Sequence, residues 1–279
     1  MNTPKQLINL DWEVSDKDLL DEFFFFLDHK GKLSLHTNHN VIIKYFQQDN
    51  FYRVEKLLWQ DPVKREKLIN NRCKYLNKTP EELTVYDILS GFKKSAMYYG
   101  YSGFNPLLAK WFFEKYNVKS CYDPCGGWGH RMLGATELDT YIYNDLSKST
   151  YDRVNDIKYY FNMFNVVTYN NDARTFIPNE EFDTMFTCPP YFNVEKYECD
   201  DYTGFRDREE FDKFIDDLFE IFNKSNAKTF GMVIREDLIG NHTDFDDSYL
   251  LTNSTPSHLC KSKHKYNEYL YVWKKKEVL

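Results

Sequence analysis

The sequence predicts an α/β protein, a seven-stranded and mainly parallel sheet preceded by a helical N-terminal region, with the division near residue 95. Three observations lead there. Beyond residue 95, apolar runs of strand length alternate with segments of helical period, the pattern of a parallel sheet covered on both faces. One such strand runs into three glycines in four positions (Gly126, Gly127 and Gly129) and then into a helix-forming stretch. Another, Phe182 to Cys188, stops at the rigid pair Pro189-Pro190.

Upstream, Ser15 caps an amphipathic helix through Leu27, and Asp18 completes a capping box. A second helix is expected from Asn40 to about Trp59 and a third from Pro62 to about Asn77. A fourth starts at Thr79, capped ahead of Pro80-Glu81-Glu82, and a short one runs from Asp87 to Phe92. Ser95 to Gly103 is aromatic and punctuated by glycine, a loop signal. Asn105 then caps a helix with Pro106 in its first turn, running to Tyr116.

Strands are expected at 119–123, 140–144, 165–170, 182–188 and 228–235, with helices at about 128–136, 147–163 and 208–225 between them. Two last strands, about 248–254 and 267–274, are joined by a polar loop. The chain thus divides into residues 1–95 and 96–279.

At 279 residues the chain holds one large or two smaller domains with a real core. No apolar run reaches membrane-spanning length, the longest being Phe23 to Leu27, and no basic-apolar-small leader opens the sequence. Cysteines at 73, 121, 125, 188, 199 and 260 form no Cys-x-x-Cys pair, so neither a disulfide framework nor a metal site is expected. A reducing cytoplasm is the expected compartment. The 22 tyrosines and 23 phenylalanines beside 11 glycines and 9 prolines are the bias of an AT-rich coding genome, as in many phages, whose compartment would be the host cytoplasm.

Net charge is −7, unfavourable for holding a polyanion unless a local basic face exists. Residues 53–78 carry eight Lys or Arg against three acids, with Tyr52, Trp59 and Tyr75 in or beside them. They read either as a solvated helix face or as a nucleic-acid contact surface. Residues 11–28 and 198–220 are acidic and should face water.

The run Tyr122 to Arg131 carries the clearest chemical signal. A strand, a glycine turn and a helix N-terminus let backbone N–H groups approach a ligand that any Cβ would obstruct. Gly126, Gly127, Gly129 and Gly134 miss the Gly-x-Gly-x-x-Gly register of a dinucleotide site, and an aspartate precedes the turn, so an uncharged ligand edge is favoured over a pyrophosphate. Ligands of open α/β sheets lie beyond the carboxyl ends of the strands, so Asp123, Asp145, Asp172 and Pro189 should line one crevice. Asp145 and Asp172 also read as helix caps.

The glycine turn, followed by Pro189-Pro190-Tyr191, resembles the S-adenosylmethionine-dependent methyltransferases that modify exocyclic amino groups of nucleic-acid bases, over roughly residues 100–275. The resemblance implies a Rossmann-like methyltransferase sheet whose last two strands form an antiparallel pair, S-adenosylmethionine as cofactor, and nucleic acid, DNA rather than RNA, as partner, in a DNA-modification or restriction-modification role with no membrane. It places the cofactor on Asp123, Pro124, Cys125, Gly126, Gly127 and Gly129, with Asp145 on the ribose hydroxyls and Asp172 on the adenine amine. Phe104-Asn105-Pro106 resembles the upstream element packed against the methionine end, whose carboxylate either Ser102 or Arg131 would hold; Arg131 also reads as a surface salt bridge.

Cys188, Pro189, Pro190 and Tyr191 would form the acceptor site, Tyr191 stacking on an extruded base, with Phe192 and Tyr197 as weaker base contacts. The order of elements matches adenine-N6 enzymes without excluding cytosine-N4. Cys188 departs from the family, whose members place an amide, carboxylate or hydroxyl there. A thiol accepts hydrogen bonds weakly, which leaves two alternatives: attack of Cys188 on pyrimidine C6 with methylation at C5, or a non-catalytic cofactor-binding subunit.

Overall fold

Strand residues in the second half of the chain are apolar at consecutive positions, and the computed structural model shows both faces of the sheet covered. The structure describes residues 14–35, 40–47, 59–94, 103–192, 204–253 and 267–276. Seven strands, β1 (Ser120–Asp123), β2 (Thr140–Asn144), β3 (Val166–Tyr169), β4 (Thr184–Thr187), β5 (Thr229–Arg235), β6 (Asp247–Asn253) and β7 (Asn267–Lys274), form one sheet in the order β3-β2-β1-β4-β5-β7-β6. The sheet is mixed. Pairings from β3 through β5 are parallel, whereas β7 runs antiparallel to both β5 and β6. The sheet is thus mainly parallel with an antiparallel pair at its end, as expected; β7 alone reverses direction, and β6, antiparallel to β7, points the same way as β5.

Successive side chains on a strand point to opposite faces. Cys121, Tyr141, Tyr143, Phe186, Val233, Leu270 and Val272 enter one core. Their neighbours Tyr122, Ile142, Met185, Met232, Ile234, Tyr271 and Trp273 enter the other. The first core is closed by helices α1 (Asp16–Asp28), α2 (Val41–Phe46), α5 (Pro106–Lys115), α6 (His130–Gly134) and α7 (Lys148–Tyr160). The second is closed by α8 (Arg208–Lys224), whose Phe211, Phe214, Ile215, Leu218, Phe219, Ile221 and Phe222 form its buried stripe.

The N-terminal helices do not form one unit. Leu19 and Phe26 of α1, with Ile42 and Ile43 of α2, belong to the first sheet core. The Lys110 ammonium on α5 donates to the Phe26 and Leu27 carbonyls at 3.1 and 2.9 Å, binding the C-terminus of α1. Helices α3 (Pro62–Leu76) and α4 (Val85–Lys94) instead build a small core of Trp59, Leu68, Ile69, Leu83 and Ile88. The expected boundary at residue 95 lies outside the described residues.

Local departures from the sequence reading have physical causes. The helix expected from Asn40 to Trp59 ends at Phe46, and residues 48–58 lie outside those described. Its start is not capped by the Asn40 side chain; the buried Glu22 carboxylate of α1 accepts from Val41 N and Ile42 N at 2.9 and 2.6 Å. The helix expected at Thr79 has its capping box but remains a single 3₁₀ turn, Pro80–Glu82, because Leu83 turns inward to the small core. Helix α4 starts two residues before Asp87, capped by reciprocal hydrogen bonds between Thr84 and Asp87.

Phe186 of β4 is fully buried and stacks on Phe112 of α5, with ring centroids 4.2 Å apart. Replacing it with alanine opens a cavity under the helix that leads into β1. Phe186→Ala should lower unfolding free energy by about 3–5 kcal/mol in urea titrations followed by circular dichroism. A loss below about 1 kcal/mol would contradict this packing.

Candidate functional site

The parallel order β3-β2-β1-β4 brings the carboxyl ends of four strands to one edge of the sheet. At its centre stands Asp123, the last residue of β1 and fully buried. Its Oδ2 accepts from Arg131 Nε at 2.7 Å and from the Tyr141 hydroxyl at 2.5 Å. Oδ1 accepts from Arg131 Nη2 at 3.2 Å and the Thr187 hydroxyl at 3.0 Å. A carboxylate has about four lone-pair sites, so none remains for a ligand. Asp123 was expected to line the crevice; it lies behind the glycine turn and ties β1 to β2, β4 and α6.

Arg131 is not a surface salt bridge. It is buried, donates also to the Cys125 carbonyl, and stands 5.1 Å over the Phe104 ring. The neighbouring carboxylate holds its guanidinium in the charged form despite the burial. Phe104 thus supports the turn by packing on Arg131, as well as on Phe186.

The turn itself is shaped by β2. Asn144 is fully buried; its amide donates to the Pro124 carbonyl at 3.1 Å and the Asn171 carbonyl at 3.0 Å, while its carbonyl accepts from Asn171 N at 3.0 Å. Gly126 N donates to the Asn144 backbone carbonyl at 2.7 Å. A Cβ at Gly126 would stand 2.1 Å from the Tyr143 ring, so the close approach requires glycine. The Tyr143 hydroxyl donates to the Gly127 carbonyl at 2.7 Å, and Asp145 Oδ2 accepts from Gly127 N at 2.9 Å. Gly127 has φ +56° and opens onto space, with nothing within 4 Å of where a Cβ would be.

Asp145 lies just past β2, half-buried, and its second oxygen accepts from Ser147 N at 2.9 Å. Burial raises its carboxyl to about 6, against those two N–H bonds, which favour the charged form. Ser147, not Asp145, caps α7. Asp172 is different: Arg174 donates to both of its oxygens through the guanidinium and to Oδ1 through the backbone. Its carboxyl is lowered by that guanidinium. Asn105 is buried as the cap of α5, accepting from Leu107 N and donating to the Ser34 carbonyl at 2.8 Å. Gly129 precedes the first turn of α6, and Cys125 is half-buried with its thiol pushed well up by burial.

Beyond β4, Cys188 Sγ lies 3.9 Å from the Tyr191 hydroxyl, which donates to the Glu268 carboxylate of β7. Pro189 is buried and Pro190 half-buried. Phe192 packs into the second core, 6.1 Å from the Phe211 ring. Ser102 and Tyr197 lie outside the described residues.

Tyr141, Tyr143, Asn144, Thr187 and Glu268 are parts of the site that the sequence reading did not single out. The one visible signal was a strand, Tyr141-x-Tyr143-Asn144, carrying hydroxyls and an amide into a buried position where each needs a partner. Among the described residues no His, Cys, Asp or Glu group is placed to hold a metal, and no helix is long and apolar enough to cross a membrane.

No family model matches the sequence, and no curated protein does. Solved structures with a similar fold include TrmN from Thermus thermophilus, at 14% identity, covering 61% of this chain and 49% of that one, with a TM-score of 0.43. SMU.472 complexed with SAH is 13% identical over 67% of this chain and 56% of that one, with a TM-score of 0.46. Human methyltransferase 10 domain containing protein is 11% identical over 60% and 80%, with a TM-score of 0.41. The chain spans about half the length of TrmN.

The two roles at the turn separate on substitution. Arg131→Met leaves Asp123 buried without its cation and should cost about 3–5 kcal/mol in urea unfolding. Gly127→Ala meets no atom and should cost about 1 kcal/mol, the strain of a left-handed backbone at a residue with a Cβ. Equal losses in the two variants would contradict the division into support and open cradle.

Proposed function

We propose that the chain is an S-adenosylmethionine-dependent methyltransferase acting on an exocyclic amino group of a DNA base, adenine N6 or cytosine N4. The observation that carries this reading is the open space at Gly127 beside the half-buried Asp145 carboxylate, at the carboxyl edge of the sheet. The fit is chemical as well as spatial. Every acceptor of Asp123 is occupied, whereas each Asp145 oxygen accepts one backbone N–H and keeps acceptor capacity for a vicinal diol.

Bound there, S-adenosylmethionine supplies an electrophilic methyl group. The chain's own residues position and desolvate the acceptor, which is most of what an in-line displacement asks of a protein. An exocyclic base amine is a weak nucleophile because its lone pair is delocalised into the ring. Hydrogen bonds accepted by the Pro189 carbonyl and the Cys188 side chain would draw it toward tetrahedral geometry, and the proton it sheds on methylation would pass to water. Tyr191 would offer its ring to an extruded base, its hydroxyl held by Glu268 of β7, two strands from β4. Asp172, bound by Arg174, would meet the adenine edge only after releasing that partner.

Tritiated-methyl transfer to DNA, RNA and nucleotides, followed by nucleoside mass spectrometry, tests the reading. Gly127→Val should abolish cofactor binding in calorimetry, Tyr191→Ala should lose most activity, since base stacking is worth about 1–3 kcal/mol, and Cys188→Ser should retain it. A folded, cofactor-binding but inactive Cys188→Ser, with a covalent adduct on 5-fluoropyrimidine DNA, would assign carbon methylation instead. Cofactor binding with no transfer to any nucleic acid would assign a non-catalytic subunit.

A further inference from the structure

The basic segment 53–78 resolves into side chains with different tasks. Arg65 turns back to Trp59, donating to its carbonyl at 3.4 Å with the guanidinium 5.9 Å from the ring. Arg72 is buried, 5.2 Å over the Tyr75 ring, and Lys78 pairs with Asp87 at 2.9 Å. Arg53 and Lys56 lie outside the described residues; of the described basic residues Lys64, Lys67 and Lys74 remain, all exposed on α3. At 3.6 residues per turn they share with the exposed Asn71 and Tyr75 an arc of about 100°. Among the described residues Lys64 pairs only with the half-buried Asp61, at 3.3 Å, and Lys67 and Lys74 enter no ion pair.

Apart from Asp61, the acids near α3 lie off this arc. Glu66 falls on the same flank as Cys73, about a third of a turn away from Lys67, and Glu81 and Glu82 act on that Cys73 thiol. In a chain of net charge −7, α3 therefore presents a positive stripe whose one acidic contact among the described residues is Asp61 at Lys64. From Lys64 to Lys74 the stripe is about 15 Å long, which spans several phosphates of one strand at about 3.4 Å of axis each.

The stripe is also tied to the cradle. Ile69, on the far side of α3, and Leu68, at the edge of the stripe, pack in the small core with Leu83 and Ile88. Trp128, which stands between Gly127 and Gly129, packs against that same core and against the first sheet core. The turn's own tryptophan thus packs on the small core that α3 and α4 share.

We propose that the Lys64-Lys67-Lys74 face of α3 docks the phosphate backbone of duplex DNA beside the glycine turn; this rests on the methyltransferase reading for its choice of DNA. Charge complementarity supplies the attraction and Asn71 a hydrogen-bond donor to phosphate oxygen, contacts that position a duplex without reading its sequence. Arg65, Arg72 and Lys78 take no part, being engaged within the helical pair.

Fluorescence anisotropy of a labelled 30-bp duplex, titrated against salt from about 50 to 200 mM with the full chain, tests the proposal. A Lys64→Glu, Lys67→Glu, Lys74→Glu variant should bind at least about tenfold more weakly at the lower salt, and its log–log salt slope should fall by about 2–3 for three lost contacts. The control is Lys119→Glu, Lys213→Glu, Lys224→Glu, an equal charge change at exposed positions elsewhere; it should leave the slope unchanged. An equal loss in the control, an unchanged slope in the α3 variant, or binding of single-stranded RNA with none of duplex DNA would overturn the docking face. Calorimetric affinity for S-adenosylmethionine, measured on the same variants, should be unchanged. A wild type that binds DNA through α3 but no S-adenosylmethionine would uphold the docking face and remove the methyltransferase reading.

Discussion

Everything at the carboxyl edge of the sheet depends on one buried ion pair, Asp123 with Arg131. A carboxylate taken fully out of water is tolerated only when paired and hydrogen-bonded, and here four donors meet it from β2, β4 and α6. Those donors come from residues 131, 141 and 187, so the pair draws three separated segments to the end of β1. The glycine turn between Asp123 and Arg131 is then a loop whose two ends are fixed to each other. Phe104 beneath the guanidinium connects the entry of α5 to the same point.

Once the ends are fixed, β2 sets the path of the loop. Tyr143, Asn144 and Asp145 each bond a different part of it: the Gly127 carbonyl, the Pro124 carbonyl and the Gly127 N–H. The result is a division of labour between two aspartates at adjacent strand ends. Asp123 satisfies the interior and Asp145 meets solvent with acceptor capacity to spare. Across the crevice, Tyr191 is held by Glu268 of β7, so the antiparallel closing strand reaches the acceptor side of the site.

Much of this was legible in the sequence, for a reason that particular strands make clear. Strands β2 and β5 fall at 140–144 and 229–235, against expected ranges of 140–144 and 228–235, because burial on both faces leaves continuous apolar runs that only a covered sheet explains. Asn105 with Pro106, and Ser15 with Asp18, marked helix starts because capping is local chemistry. What was not legible depended on distant partners. Asp123, Asp145 and Asp172 look alike along the chain; Arg131, Tyr141 and Thr187 make the first structural, and Arg174 occupies the third. The borrowed cap of α2 comes from Glu22, 20 residues away from Ile42. Likewise, no local pattern distinguishes Lys67, which faces solvent, from Arg72, which is buried.

The most direct test of this account is a crystal structure of the chain with S-adenosylmethionine. The account predicts the adenosyl moiety against Gly127, its ribose hydroxyls on the Asp145 carboxylate, and Asp123 still holding Arg131, Tyr141 and Thr187 out of contact with the ligand. A ligand bonded to Asp123, or bound away from the carboxyl edge of the sheet, would contradict it.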